Sequence, residues 1–209
     1  MKYTAAALRE ILYSMIRRIG EKPERYARNP GKDFTRKREL TPAVLIRLIF
    51  TMDEKSIWKG LLGYFQRKAD TPSASAFIQQ RQKLLPSALE DLFRQFTDYL
   101  QPQKKFRGYR LLAVDGSSLK SGAYPEDTEA YRPGTERQHG WNLFHINSLY
   151  DLENGIYTDV LVQKEHTKHE SKALCLMAER SGITGPVLLL ADRNYETYSN
   201  FACLEKRGW

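Results

Sequence analysis

Apolar positions recur at helical spacing from the start of the chain. Leu8, Ile11, Leu12, Met15, Ile16 and Ile19 mark one face of a helix over residues 4–19, which Gly20 ends. Residues 21–38, EKPERYARNPGKDFTRKR, lose that period and are interrupted by Pro23, Pro30 and Gly31, so they predict a loop or mobile arm. In TPAVLIRLIFTM, Thr41 as cap and Pro42 at the first helical position open another helix. A further helix starts at Thr71-Pro72 or at Ser73 and carries Phe77, Ile78, Gln79, Gln80, Arg81 and Lys83. Pro86 punctuates it, and an amphipathic helix follows with Leu89, Leu92, Phe93, Phe96, Tyr99 and Leu100.

The pattern changes at about residue 106. YRLLAVDGSS reads as a buried strand ending in Asp-Gly and feeding a turn, and the Gly- and Pro-rich residues 121–140 read as loop. NLFHINSLYD and GIYTDVLVQKE form two strands joined at Glu153-Asn154-Gly155, a hairpin signal. Residues 168–181 follow as a helix with Ala173, Leu174, Leu176 and Met177 inward. PVLLLAD is then a second wholly apolar strand ending in Asp, and residues 195–207 are helical. The expected fold class is α/β: a helical region over 1–105, then a mixed-sheet region over 106–209 in the order strand, hairpin, helix, strand, helix.

Composition adds little until the charge is divided along the chain. Hydrophobic residues make up 41% of 209, and the mean hydropathy of −0.58 is ordinary for a soluble domain. No stretch reaches the roughly 18 to 20 apolar residues that span a bilayer. Arg9, Glu10, Arg17 and Arg18 interrupt the first helix, which therefore does not read as a signal peptide. Cys175 and Cys203 have no metal-ligand spacing and suit a reducing cytoplasm. The net charge of +8, however, is uneven. Residues 1–110 hold 23 Lys and Arg against 11 Asp and Glu, a balance of +12, and residues 111–209 hold 10 against 14, a balance of −4. A basic half joined to a mildly acidic one suggests a polyanion-binding module beside a region that concentrates carboxylates. Seven positive charges fall in residues 21–38, where Arg36, Lys37 and Arg38 suit phosphate contacts. Ser73, Ser75, Gln79, Gln80, Arg81 and Lys83 lie where a helix-turn-helix module presents side chains to base edges and phosphates. The polar face of an ordinary helical bundle has the same composition.

Asp115 and Asp192 carry the candidate chemistry. Each follows an apolar run, LLAV and VLLLA, and each precedes an expected loop. If those strands lie parallel and adjacent, both carboxylates emerge at one C-terminal sheet edge, where ligands of open α/β sheets gather. Close carboxylates repel unless a cation lies between them, and hard oxygen ligands in an open site suit Mg²⁺ or Mn²⁺. Such ions activate water or a 3′-hydroxyl in phosphodiester chemistry. Taken singly, an Asp at a strand end also reads as a turn cap.

The order AVDGSS, hairpin, helix, LLADRNYETYSNF resembles the DDE transposases of bacterial insertion sequences. It is most similar to the cut-and-paste group with the Tyr-Arg-Glu-Lys signature. SASAFIQQRQKL and HTKHESKAL match segments of that group, and the resemblance spans residues 35–209. It implies a ribonuclease-H-like core, incomplete here, with Asp115 and Asp192 as the first two metal-binding acids and Mg²⁺ or Mn²⁺ as cofactor. It also implies double-stranded transposon ends as partner, a homodimer in a synaptic complex, and Arg193 and Tyr195 near the DNA or packed at a helix start. His166, His169 and Glu170 read as a polar turn and helix start. Lys164 and Lys168 stand where they reach phosphate or simply meet solvent.

One element of that pattern is missing. The signature Tyr-x2-Arg-x3-Glu-x6-Tyr-x2-Lys does not occur after Asp192; Tyr64 and Arg67 precede Asp115, with Thr71 where the Glu belongs. The expectation is a fragment or truncated product whose two-acid site binds metal weakly and does not cleave alone. A DNA-binding remnant that pairs with or inhibits a complete enzyme is the competing reading, and an unrelated ribonuclease-H-like nuclease is a third. No GxxxxGK[ST] is present, and Ser117 occupies the second position of an Asp-x-Asp phosphatase motif, which disfavours both those chemistries.

Overall fold

The computed structural model describes residues 3–36, 38–52, 56–100, 104–135 and 138–209. The chain divides into two compact units, Met1–Leu100 and Gln101–Trp209.

The first unit is helical: α1 (Ala5–Gly20), α2 (Pro23–Tyr26), α3 (Pro42–Thr51), α4 (Ile57–Tyr64), α5 (Ala74–Arg81) and α6 (Ser87–Leu100). Its boundaries follow local chemistry. The hydroxyls of Thr4, Thr41, Ser56 and Ser73 accept from backbone N–H groups that the first helical turn leaves unpaired. The stripe expected on α1 supplies Met15, Ile16 and Ile19 to a core shared with Leu45, Ile46 and Leu48 of α3, Leu61 of α4, Phe77 of α5 and Leu92 of α6. Full burial of such a side chain is worth roughly 1.5–3 kcal/mol.

The segment expected as a mobile arm is partly folded. Residues 23–26 form α2, Tyr26 is buried, and its hydroxyl donates to Asp91 Oδ2 at 2.9 Å. Arg25 pairs with the same carboxylate, and Ala27 bridges to Leu84. One buried aromatic ring with a paired hydroxyl outweighs the Pro- and Gly-rich composition. Helix α4 had no sequence expectation, although Ser56 and the apolar Ile57 and Leu61 mark it. Residues 65–73 separate α4 from α5, a longer link than the turn of about three to four residues in a helix-turn-helix.

The second unit is a mixed sheet with helices: β1 (Arg110–Ser121), β2 (Tyr131–Arg132), β3 (Trp141–Asp151), β4 (Ile156–Lys164), α7 (Glu170–Arg180), β5 (Val187–Leu190) and α8 (Tyr198–Arg207). The strand order is β2-β3-β1-β5, with β4 also paired to β3. The β3–β4 hairpin turns through Gly155 at φ +66°, as the Glu-Asn-Gly signal requires. β1 and β5 are parallel, pairing Arg110 to Ala113 with Val187 to Leu190. Leu112, Val114, Leu149 and Val187 form a core with Leu174 and Met177 of α7 and with Tyr195. Leu176, expected to point inward, is instead exposed; Ala178 takes the inner position, as helical spacing from Leu174 allows.

Several polar side chains of this unit are paired. Arg110 Nε donates to Asp151 Oδ2 at 2.7 Å, and Arg180 Nε donates to Asp159 Oδ2 at 2.6 Å. Asn147 Nδ2 donates to Gln163 Oε1 at 3.0 Å.

The largest departure concerns the first Asp. Asp115 does not end its strand: β1 runs on to Ser121, because the long β3 pairs with it from Leu112 through Ser121. Gly-Ser-Ser is turn-like in isolation, but eleven residues of partner strand override that propensity.

Candidate functional site

β5 leaves β1 after the pair Ala113↔Leu190. Asp115, within β1, and Asp192, in the coil after β5, each follow that pair by two residues, and both are exposed. Past β5, therefore, the side of β1 that β5 had covered is no longer paired with it. Gly116 N donates to Asp115 Oδ1 at 2.8 Å. Asp192 caps a short 3-10 turn over Arg193–Tyr195, its Oδ1 accepting from Asn194 N at 2.6 Å. The turn-cap role considered for an isolated Asp is thus real for Asp192, but it leaves the carboxylate at the surface.

Around these two acids the structure gathers Tyr195 and Glu170, which the motifs marked, and His145 and Gly116, which they did not. Tyr195 is 4% exposed, and its hydroxyl has no hydrogen-bond partner. Burial, and then the charges of Glu170, Asp115 and Asp192, push its pKa up to about 12. His145, buried on β3, places Nε2 3.0 Å from Glu170 Oε1 at the start of α7. Gly116 is packed beneath this pair: a Cβ built there would lie 2.5 Å from His145 Nε2 and 3.4 Å from Glu170 Oε1. The alternation in NLFHINSLYD was the only sequence signal for His145, since it puts residues 145, 147, 149 and 151 on one face. That signal says burial and nothing of what the ring meets.

The nearby polar residues have local partners. Lys164 pairs with Asp127 and Glu129, and those hydrogen bonds hold its ammonium above the ordinary lysine value. Lys168 Nζ lies 3.3 Å from Glu165 Oε1. Arg193 is exposed. His166 falls in a 3-10 turn, and His169 caps α7, as a polar turn and helix start require.

The candidate DNA contacts of the first unit converge in part. Arg36, Arg38, Gln80 and Lys83, drawn from two separate stretches of sequence, line one cleft of about 380 Å³ with Lys32 and Thr41. Lys37 lies outside the described residues. Gln80 is 8% exposed, so it forms the floor of that cleft. Ser73 caps α5, exposed Gln79 donates to Ser75 Oγ at 3.4 Å, and exposed Arg81 lies over the Phe77 ring. Residues 73, 75, 79 and 81 therefore line the outer surface of α5, separate from the cleft.

Residues 106–209 match the family model described as the transposase DDE domain. This part of the chain is similar to that family, and its mixed sheet with flanking helices is consistent with a ribonuclease-H-like core. No curated protein matches the chain, and no solved structure does. Transposases of this family act on DNA in transposition and recombination and generally use divalent metal ions. No helix among the described residues is long and apolar enough to cross a membrane.

The exposed carboxylates of Asp115 and Asp192 are the hard oxygen donors such an ion prefers. Among the described residues no group of three or more His, Cys, Asp or Glu is already arranged to hold one. The donor chemistry of the two carboxylates fits such an ion.

Proposed function

We propose that this chain is a transposase of the insertion-sequence type, in which a basic helical unit binds double-stranded transposon ends. Its DDE domain then contributes Asp115 and Asp192 to phosphodiester hydrolysis and strand transfer. The observation that supports the reading is that each acid follows the last pair of the parallel β1–β5 ladder by two residues, within the segment that matches the family. Mg²⁺ or Mn²⁺ bound there would polarise the scissile phosphate and lower the pKa of the attacking hydroxyl. Asp115 and Asp192 would orient that ion from a sheet edge, where a rigid strand fixes one and a capped turn fixes the other.

The first unit supplies the affinity. Lys32, Arg36, Arg38 and Lys83 around one cleft make a phosphate-binding surface, and exposed Gln79 and Arg81 stand ready to meet base edges. DNA held in this way brings the phosphodiester to the domain that cuts it, and two copies on two ends would form the synaptic complex.

The acid pair is tested by Fe²⁺ substitution. With ascorbate and peroxide, iron at the site generates radicals that cut the polypeptide beside its ligands. Fragments ending near residues 115 and 192 are expected, suppressed by excess Mg²⁺ and lost in D115N. Cleavage elsewhere, or a D115N pattern like that of the wild type, would rule the assignment out.

A further inference from the structure

We propose that a second cleft of the helical unit, formed by α1, α3 and α4, holds the phosphodiester backbone of duplex DNA. This rests on the reading of that unit as the DNA-binding part of the chain, but it concerns other residues. Tyr13 of α1, Arg47 of α3 and Lys59, Gly63 and Tyr64 of α4 line a space of about 430 Å³. No lining residue is shared with the cleft around Arg36, Arg38 and Lys83.

Three of these residues are poor choices for the fold itself. The Arg47 guanidinium carbon lies 4.2 Å from the centroid of the Tyr13 ring, which holds it in place. Its Nε is buried without a hydrogen-bond partner. A buried polar group left unpaired lowers stability, so one retained in a core-forming helix points to another use. Lys59 is exposed in the first turn of α4, where a positive charge opposes the helix dipole. Gly63 weakens the helix relative to alanine. Its φ is not positive, and nothing lies within 4 Å of a Cβ added there, so neither backbone conformation nor internal packing calls for glycine. Gly60 differs, since a Cβ there would lie 2.9 Å from Met52 Cγ. What Gly63 does permit is close approach to the helix from outside the chain.

The lining selects an oxyanion. Among the described residues no Asp or Glu lines the cleft, and neither Arg47 nor Lys59 meets a carboxylate. A guanidinium and an ammonium in one cleft supply the charge-assisted donors that phosphate oxygens accept. No Asn or Gln stands there to pair with a base edge. The site therefore suits a backbone phosphate in any sequence, a contact that positions the duplex without reading it.

The probe is a fluorescein-labelled duplex, titrated by anisotropy at several salt concentrations with the full chain and the variants R47M, K59Q, G63L, R36A and R9Q. Arg9 is exposed on α1 and lines neither cleft, so R9Q removes one positive charge elsewhere. R47M and K59Q should each lower the salt slope of log K by about 0.9, while R9Q keeps the wild-type slope. G63L should weaken binding although it removes no charge, with Tm equal to or above that of wild type. Wild-type slopes in R47M and K59Q beside a reduced slope in R36A would overturn this proposal and leave the first cleft standing. No binding by the wild-type chain would overturn both. An equal fall in R9Q would reduce the effect to net charge and overturn the cleft. Saturable calorimetric binding of deoxythymidine monophosphate, lost in K59Q, would assign the cleft to a free nucleotide and likewise overturn the proposal. If R47M does not fold, the exposed Lys59 carries the test alone, and an unchanged slope in K59Q is then decisive against it.

Discussion

Gly116→Ala tests the packing that brings His145, Glu170 and Asp115 together. Gly116 has no positive φ, so alanine fits its backbone without strain, and fewer unfolded conformations would by themselves favour the variant by about 0.4–1 kcal/mol. Against this stands a Cβ 2.5 Å from His145 Nε2 and 2.9 Å from its Cε1. The imidazole is buried and is backed by Glu170, so it cannot swing away freely. Overpacking of this kind costs about 1–3 kcal/mol, which exceeds the entropic gain. G116A is therefore expected to be less stable by about 1 kcal/mol or more. The assay is urea denaturation followed by tryptophan fluorescence in a W58F background, which leaves only Trp141 and Trp209, both in the second unit. Gly63→Ala is the control. No atom lies within 4 Å of its added Cβ, so the helical preference for Ala should stabilise α4 by up to about 1 kcal/mol, read from Trp58 in the native background. A G116A chain as stable as its parent would mean that His145 has room, and the link from Gly116 to Glu170 would fail.

Three other outcomes follow from the structure. Arg110→Met leaves the fully buried Asp151 carboxylate without its guanidinium partner and should cost about 3–5 kcal/mol in a denaturant melt; R110M/D151L should recover part of that loss. Burial, then the hydrogen bond and charge of Asp91, raise the Tyr26 pKa above its usual 10.0. The neutral phenol is thus favoured by folding, and its contribution is complete below pH 10 and lost as pH rises through the folded value. The stability advantage of wild type over Y26F should therefore shrink above pH 10, and a difference independent of pH would contradict the burial of that ring. In gel-shift titrations on duplex DNA, R36A, R38A and K83A should each lower the salt slope of log K by about 0.9 if each side chain holds one phosphate. Unchanged slopes would remove the cleft as the phosphate-binding surface.

How far the sequence carried the reading differs between the parts of the molecule. Thr4, Thr41 and Ser73 act as helix caps where hydroxyl and spacing foretell them. The parallel β1–β5 pair joins the two apolar runs ending in Asp, although Leu188 and Leu190 on one face of β5 are exposed. Long-range pairing was not legible. The extension of β1 past Asp115 depends on β3, and the folding of residues 23–27 depends on Asp91 and Leu84, more than fifty residues away. Gln80 looks like a reader of bases in sequence, yet it turns inward because Phe77 and Gln80 share the buried side of a short helix. His145, Gly116 and Glu170 were invisible as a group, since three separate elements bring them together and none carries a recognisable spacing.

The central claim is that Asp115 and Asp192 share a divalent cation. Anomalous difference density from crystals of the chain soaked in MnCl₂ tests it most directly. The account predicts one peak in contact with the carboxylates of both residues; a peak bound to neither, with both side chains still at solvent, would contradict it.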